Sequence, residues 1–90
     1  MYTKNTKIIN RTGLHARPAS DFVACAKTFR SKILIKRTGG EDEVDAKSIV
    51  MLLSLGLSQG EGIAISAQGE DEARAVDTLI DLVNSAFGEV

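Results

Sequence analysis

The 90-residue sequence contains one histidine, one proline, one cysteine and no tryptophan. The single cysteine, Cys25, excludes an internal disulfide and is typical of a reducing cytosol, so we expect a cytoplasmic protein. No apolar run approaches the roughly 20 residues of a membrane-spanning helix, and the N-terminal MYTKNTK lacks the apolar stretch of a secretory signal, so no membrane insertion is expected. A pI of 5.7, with one tyrosine and three phenylalanines, argues against nucleic-acid binding.

Charge is unevenly distributed along the chain. Residues 1–37 hold nine basic residues and one acid, whereas residues 38–90 hold two basic residues and eleven acids. A basic half favours anionic ligands or acidic partners, provided that the fold does not interleave the two halves and blur the difference. The length predicts one domain over residues 1–90.

The spacing of apolar residues predicts the element order β-α-β-β-α-β-α. The stretch 49–57 is almost entirely apolar and fits either a strand or a helix, but Ser48 as an N-cap and Gly56 after the last turn favour a short helix. The predicted strands cover residues 3–10, 32–37, 41–44 and 63–68. The first long helix covers about 16–29, and the last helix starts within 69–72 and continues to 87. This order predicts an α+β open-faced sandwich, in which a four-stranded antiparallel sheet carries three helices on one face.

The only histidine lies in the segment TGLHARPASD, beside an arginine and the only proline. Because proline is tolerated only in the first helical turn, Pro18 predicts that the helix begins at residues 15–17. If His15 is the N-cap, the free amides of Ala16 and Arg17 and the Arg17 guanidinium form an anion site around the imidazole. That arrangement suits a nucleophile that carries a phosphoryl group, although an ordinary surface histidine beside a helix fits the same spacing.

Two other uses of His15 are disfavoured by the sequence. A metal site would need a second histidine or a cysteine cluster, and the chain has neither, so no metal is expected. A general base would need a substrate pocket, for which a domain of this size has little room.

Three segments together resemble the HPr family, the histidine-containing phosphocarriers of the bacterial phosphoenolpyruvate:sugar phosphotransferase system. The segments are GLHARPA, AKSIVMLLSLG and GIAISAQGEDE, and the resemblance covers essentially the whole chain. It implies that His15 accepts a phosphoryl group on Nδ1 from enzyme I, charged by phosphoenolpyruvate, and passes it to sugar-specific IIA proteins. It also implies that Arg17 steadies the phosphoryl oxygens with the Ala16 and Arg17 amides, in a monomeric carrier that has no cofactor and is not an enzyme.

The resemblance makes Ser48 a regulatory serine, phosphorylated by an HPr kinase/phosphorylase and then recognised by a catabolite-control transcriptional regulator. A plain helix cap fits Ser48 equally well. In the family the short helix belongs to the docking face, so Ile49, Met51 and Leu52 are expected to be apolar anchors for partners. The chain departs from the common pattern in a longer segment 38–45 and in Val50-Met51, where a methionine–glycine pair is more typical.

Three alternatives remain at this point. The protein could be a regulatory binding module that acts through phospho-Ser48, although purely regulatory relatives tend to lack the histidine. It could serve a nitrogen-regulatory phosphorelay instead of sugar uptake. A stand-alone histidine-dependent hydrolase would require a pocket and a second catalytic group, which the sequence does not show.

Overall fold

The computed structural model describes residues 1–89, which contain four strands and three helices in the predicted order. The elements are β1 (Tyr2–Lys7), α1 (Ala16–Ala26), β2 (Lys32–Arg37), β3 (Val44–Asp45), α2 (Ile49–Ser54), β4 (Gly62–Gln68) and α3 (Glu72–Asn84), followed by a 3-10 turn at Ala86–Gly88. The short apolar stretch is therefore a helix, and the predicted fold class is confirmed.

The four strands form one antiparallel sheet in the order β1-β4-β2-β3. Ala67 of β4 lies opposite both Tyr2 of β1 and Ile33 of β2, which fixes the register of the central strand. Side chains alternate between the two faces of a strand, and Ile33 and Ile35 are fully buried on the core side, as their spacing predicts.

The helices supply the other half of the core. The buried apolar face of α3 packs against β1, β4 and β2, while α1 packs against α2 and α3. Each long helix buries residues three or four positions apart, the spacing of one helical face. The buried residues are Pro18, Ala19, Phe22, Val23 and Ala26 on α1, and Ala75, Val76, Leu79, Ile80 and Val83 on α3.

Several predicted boundaries are wrong by a few residues. The first strand ends at Lys7, and α1 ends at Ala26 because the Thr28 and Phe29 amides bond to carbonyls three residues back, a tighter turn than an α-helix. The third strand is Val44–Asp45 instead of 41–44.

The last helix also stops earlier than predicted. It ends at Asn84, and Ala86 and Phe87 then adopt φ values of 57° and 54°, in the left-handed region. Such angles cannot continue a right-handed helix, so the chain turns back after residue 85. The apolar spacing that included Phe87 therefore overestimated the length of α3.

Within residues 1–89, no helix is long and apolar enough to cross a membrane. Cys25 is half-buried against the core, and its burial raises the pKa of the thiol.

Candidate functional site

His15 is the N-cap residue of α1. Its backbone is extended, with φ of −130° and ψ of 165°, and within residues 1–89 its side chain makes no capping hydrogen bond to the helix. The backbone carbonyl instead accepts the first helical bond from the Ala19 amide, at 3.5 Å. The imidazole is partly exposed and is not used to hold the helix end together.

The first turn of α1 offers hydrogen-bond donors at this position. The first amides of a helix have no acceptor inside the helix, and they lie at the positive end of its dipole. Ala16 and Arg17 are both exposed and follow His15 directly, whereas Pro18 is buried and supplies no amide. Ala16 has a φ of 51°, a left-handed angle that costs an L-residue about 1–2 kcal/mol. The helix end is therefore polar, positive and locally strained, which suits the binding of an anion.

The loop before His15 has little freedom. Gly13 has a φ of 71°, and a Cβ there would lie 2.7 Å from the Leu57 carbonyl oxygen, so only glycine fits. The next amide, of Leu14, donates to that same carbonyl at 3.0 Å. Asn10, which is 2 % exposed, donates from Nδ2 to the Gly13 carbonyl at 2.9 Å. The sequence did not predict this structural role of Asn10, because an isolated polar residue in a loop carries no distinctive pattern.

The C-terminal segment also holds this loop, through hydrogen bonds to Glu89. Glu89 Oε1 accepts hydrogen bonds from Asn10 Nδ2 at 3.3 Å and from the Thr12 amide at 3.4 Å. Hydrogen bonds from Thr12 and Asn10 lower the pKa of the Glu89 carboxyl. A cleft of about 410 Å³ separates this segment from α1, and it is lined by Arg17, Pro18, Asp21, Phe87, Gly88 and Glu89. Among residues 1–89, Arg17 therefore borders the open cleft between α1 and the C-terminal segment.

Ser48 is the N-cap residue of α2, as predicted. Its Oγ accepts a hydrogen bond from the Met51 amide at 3.3 Å, and its own amide donates to the Asp45 carbonyl at 3.1 Å. The side chain is partly exposed. The hydroxyl is thus accessible but already engaged in capping the helix, in contrast to the imidazole of His15.

The predicted docking residues divide into two groups. Ile49 and Met51 are 37 % and 44 % exposed, and both can meet a partner. Leu52 cannot, because it is fully buried in the core, and its assignment as a docking residue is wrong. Val50 and Leu53, which are not among the predicted anchors, are 72 % and 43 % exposed. In a short helix that is apolar on every side, periodicity does not show which face is inside.

A shallow cleft continues this apolar surface from α2 onto α1. It is lined by Ser20, Val23, Ala24, Lys27 and Ile49. Exposed apolar residues with a basic neighbour are typical of a surface for transient protein partners. Among residues 1–89, no group of three or more histidine, cysteine, aspartate or glutamate side chains is arranged to hold a metal ion.

The structure thus defines an open-faced α+β sandwich whose first helix has a partly exposed histidine at its N-cap. The family model described as the PTS HPr component phosphorylation site matches residues 2–85, and the chain belongs to the HPr family. The phosphocarrier protein HPr of Haemophilus influenzae is 47 % identical over 83 residues, which are 92 % of this chain and 95 % of that protein.

Two further comparisons agree with this assignment. A crystal structure of HPr from Thermoanaerobacter tengcongensis superposes with a TM-score of 0.95 at 46 % identity, covering 100 % of this chain and 99 % of that one. The multiphosphoryl transfer protein of Haemophilus influenzae is 39 % identical over 83 residues, which are 91 % of this chain and 17 % of that protein. The chain is therefore similar both to free-standing carriers and to a segment of a longer phosphoryl-transfer protein.

Proposed function

We propose that this protein, acting as a single domain over residues 1–90, is a phosphocarrier that holds a phosphoryl group on His15 between two partners. The observation that carries the proposal is the partly exposed imidazole at the N-cap of α1, free of any capping role within residues 1–89. Phosphorylated enzyme I is the donor, and the bond from Nδ1 to phosphorus forms as the donor's bond to phosphorus breaks. A sugar-specific IIA protein then takes the group.

The first turn of α1 stabilises the phosphorylated state. Amides of Ala16 and Arg17 donate toward the phosphoryl oxygens, and the Arg17 guanidinium supplies a charged planar donor. Because these donors are in place before the reaction, they stabilise charge on the transferring group without reorganisation. The protein by itself has no turnover, since each cycle begins and ends on another protein.

Partner recognition falls to the apolar surface of α2 and the adjoining cleft on α1. Ile49 and Met51 are its proposed anchors, with Lys27 as a basic neighbour. The relative named as a multiphosphoryl transfer protein supports partners within the phosphotransferase system. Enzyme I and IIA proteins would use this surface in turn, with the carrier as a monomer.

Ser48 is a second proposed site, for regulation. Its partly exposed hydroxyl lies beside Ile49 at the start of α2, where added negative charge is tolerated by the helix but changes the docking surface. Phosphorylation by an HPr kinase/phosphorylase would reduce acceptance of the phosphoryl group on His15 and create a surface for a catabolite-control transcriptional regulator.

The first experiment incubates the protein with phosphoenolpyruvate and a bacterial enzyme I and measures its intact mass before and after mild acid. We expect one phosphoryl adduct that is lost in acid and absent from His15→Ala. An adduct that persists in His15→Ala would contradict the assignment of the residue, and no adduct with the protein's own enzyme I would contradict the carrier function.

The role of Arg17 is tested with a matched variant. Arg17→Gln should lower the rate of phosphoryl acceptance by about 10²-fold, since it removes a charged donor to the transferring group. Arg11→Gln is the control, because Arg11 is also exposed and lies four residues before His15. Equal rates in the two variants would contradict a specific role for Arg17.

A further inference from the structure

The loop that presents His15 rests on a second turn, formed by residues 55–61. Four hydrogen bonds join the two segments: the Leu14 amide to the Leu57 carbonyl at 3.0 Å, the Ile8 amide to the Glu61 carbonyl at 2.9 Å, the Gly60 amide to the Ile8 carbonyl at 2.7 Å, and Gln59 Nε2 to the Ile9 carbonyl at 3.0 Å. The close approach of Gly13 to Leu57 lies between them. The position of His15 therefore depends on the shape of the 55–61 turn.

One ion pair holds that turn at three points. Arg37, the last residue of β2, donates from Nε to Glu61 Oε1 at 2.8 Å and from Nη2 to Glu61 Oε2 at 3.3 Å and to the Leu55 carbonyl at 2.9 Å. Glu61 Oε2 also accepts from the Ser58 amide at 2.6 Å. The start, the middle and the end of the turn are thus tied to one guanidinium and one carboxylate.

The electrostatics of the pair agree with this geometry. Hydrogen bonds from Arg37 and from the Ser58 amide lower the pKa of the Glu61 carboxyl. The pKa of Arg37 is raised in turn, mainly by its hydrogen bond to Glu61. Exposed ion pairs usually contribute little to stability. The additional bonds of this pair to the backbone therefore matter more for the shape of the 55–61 turn than for the free energy of unfolding.

We propose that Arg37 and Glu61 are a positioning pair that sets the orientation of His15 for phosphoryl transfer by fixing the 55–61 turn. In this proposal neither residue binds the phosphoryl group. The proposal rests on the carrier function proposed above, but the position of His15 can be measured without any partner protein.

The test replaces Glu61 by glutamine. The Glu61→Gln side chain keeps its shape but turns one acceptor into a donor, which then faces the Arg37 guanidinium or the Ser58 amide. Lys4→Gln is the matched control, because Lys4 forms an ion pair with Asp77 at 2.7 Å, with similar exposure, on the α3 side of the sheet. Arg37→Lys is the conservative variant, which keeps the charge and loses the planar fork.

Two readouts separate positioning from stability. We expect Glu61→Gln to speed hydrogen exchange of the Leu14 amide by about 10-fold and to shift the His15 imidazole resonances, whereas Lys4→Gln changes neither. With enzyme I, Glu61→Gln should lower kcat/KM by about 10-fold, and Arg37→Lys should lie between it and the wild type. A merely structural pair would change the melting temperature and leave the imidazole resonances where they are.

The outcomes are distinguishable from failure of the carrier function. If Glu61→Gln and Lys4→Gln show equal Leu14 exchange and unshifted His15 resonances, the positioning proposal is overturned. If Glu61→Gln fails to fold, the same comparison of Arg37→Lys with Lys4→Gln decides. If the wild type accepts no phosphoryl group, the carrier function fails, while exchange and resonances still show whether the pair positions His15.

Discussion

The N-termini of α1 and α2 differ in whether the side chain of the N-cap residue bonds to a free amide of the first turn. At α2 the Ser48 hydroxyl accepts from the Met51 amide, so the helix caps itself with the side chain at the N-cap. At α1 the His15 side chain makes no such bond among residues 1–89, and the following residue, Ala16, takes a left-handed angle. One end is closed and relaxed, and the other is open and strained.

The contrast explains what each end can do. An open helix end keeps its donors for an incoming anion, at a cost in local stability that the packing of α1 offsets. A closed end must rearrange its capping bond before a phosphate can use the same amides. The first-turn amides of α1 are therefore the more accessible of the two sets to an incoming anion.

The largest expected effect is the loss of stability when the buried side chain of α2, Leu52, is truncated. Leu52→Ala should lower the free energy of unfolding by about 2–5 kcal/mol, because Leu52 is fully buried in the core. Leu53→Ala, on the exposed side of the same helix, should change it by less than about 0.5 kcal/mol. Urea denaturation measures both, and equal effects would mean that the inner face of α2 has been assigned wrongly.

A direct comparison of the two caps comes next. Ser48→Ala removes the hydroxyl that accepts from Met51 and should cost about 1 kcal/mol of stability. His15→Ala removes a side chain that caps nothing within residues 1–89, and should change stability by less than about 0.5 kcal/mol. Denaturation midpoints test this, and a larger loss in His15→Ala would show that the imidazole does hold its helix end.

The strain at the open end is tested with glycine. Ala24→Gly, at an exposed position within α1, should cost about 0.5–1 kcal/mol, the usual penalty of glycine in a helix. Ala16→Gly should be neutral or stabilising by up to about 1 kcal/mol, since glycine adopts a φ of 51° without the left-handed penalty. If both substitutions destabilise equally, Ala16 is unstrained.

The smallest effect is a pH dependence at the loop before α1. The pKa of Glu89 is lowered in the folded state, so its bonds to Thr12 and Asn10 contribute stability above the ordinary glutamate pKa of about 4.3 and lose it as the pH falls toward the folded value. Glu89→Gln should therefore melt below the wild type at pH 7 but not at low pH. The deficit of Ser48→Ala should persist across this range, and a Glu89→Gln deficit that is independent of pH would contradict the account.

Local patterns predict most of the fold. Alternation identifies β2 and β4, helical spacing identifies α1 and α3, and Pro18 and Ser48 locate two helix starts to within a residue. These signals are strong because they depend on neighbours along the chain. The boundary errors at residues 26 and 84 arise where a tighter turn or a left-handed angle replaces the local preference.

The long-range contacts that hold the loops around His15 could not be predicted in the same way. Glu89 meets Asn10 and Thr12 across more than 70 residues, and Glu61 meets Arg37 across 24. Contacts of this kind have no fixed spacing, so a single sequence shows the charges but not their partners. Leu52 shows the converse limit, since a segment that is apolar throughout conceals which side chains face the core.

The most direct test of the account follows the amides of the two helix ends by NMR, before and after phosphorylation of the protein by enzyme I and phosphoenolpyruvate. We expect the Ala16 and Arg17 amide protons to move strongly downfield in the phosphorylated protein, because they then donate to phosphoryl oxygens. The Met51 amide proton should not move, because it remains bonded to Ser48 Oγ. Ala16 and Arg17 amides that do not move on phosphorylation would contradict the claim that the open end of α1 holds the phosphoryl group.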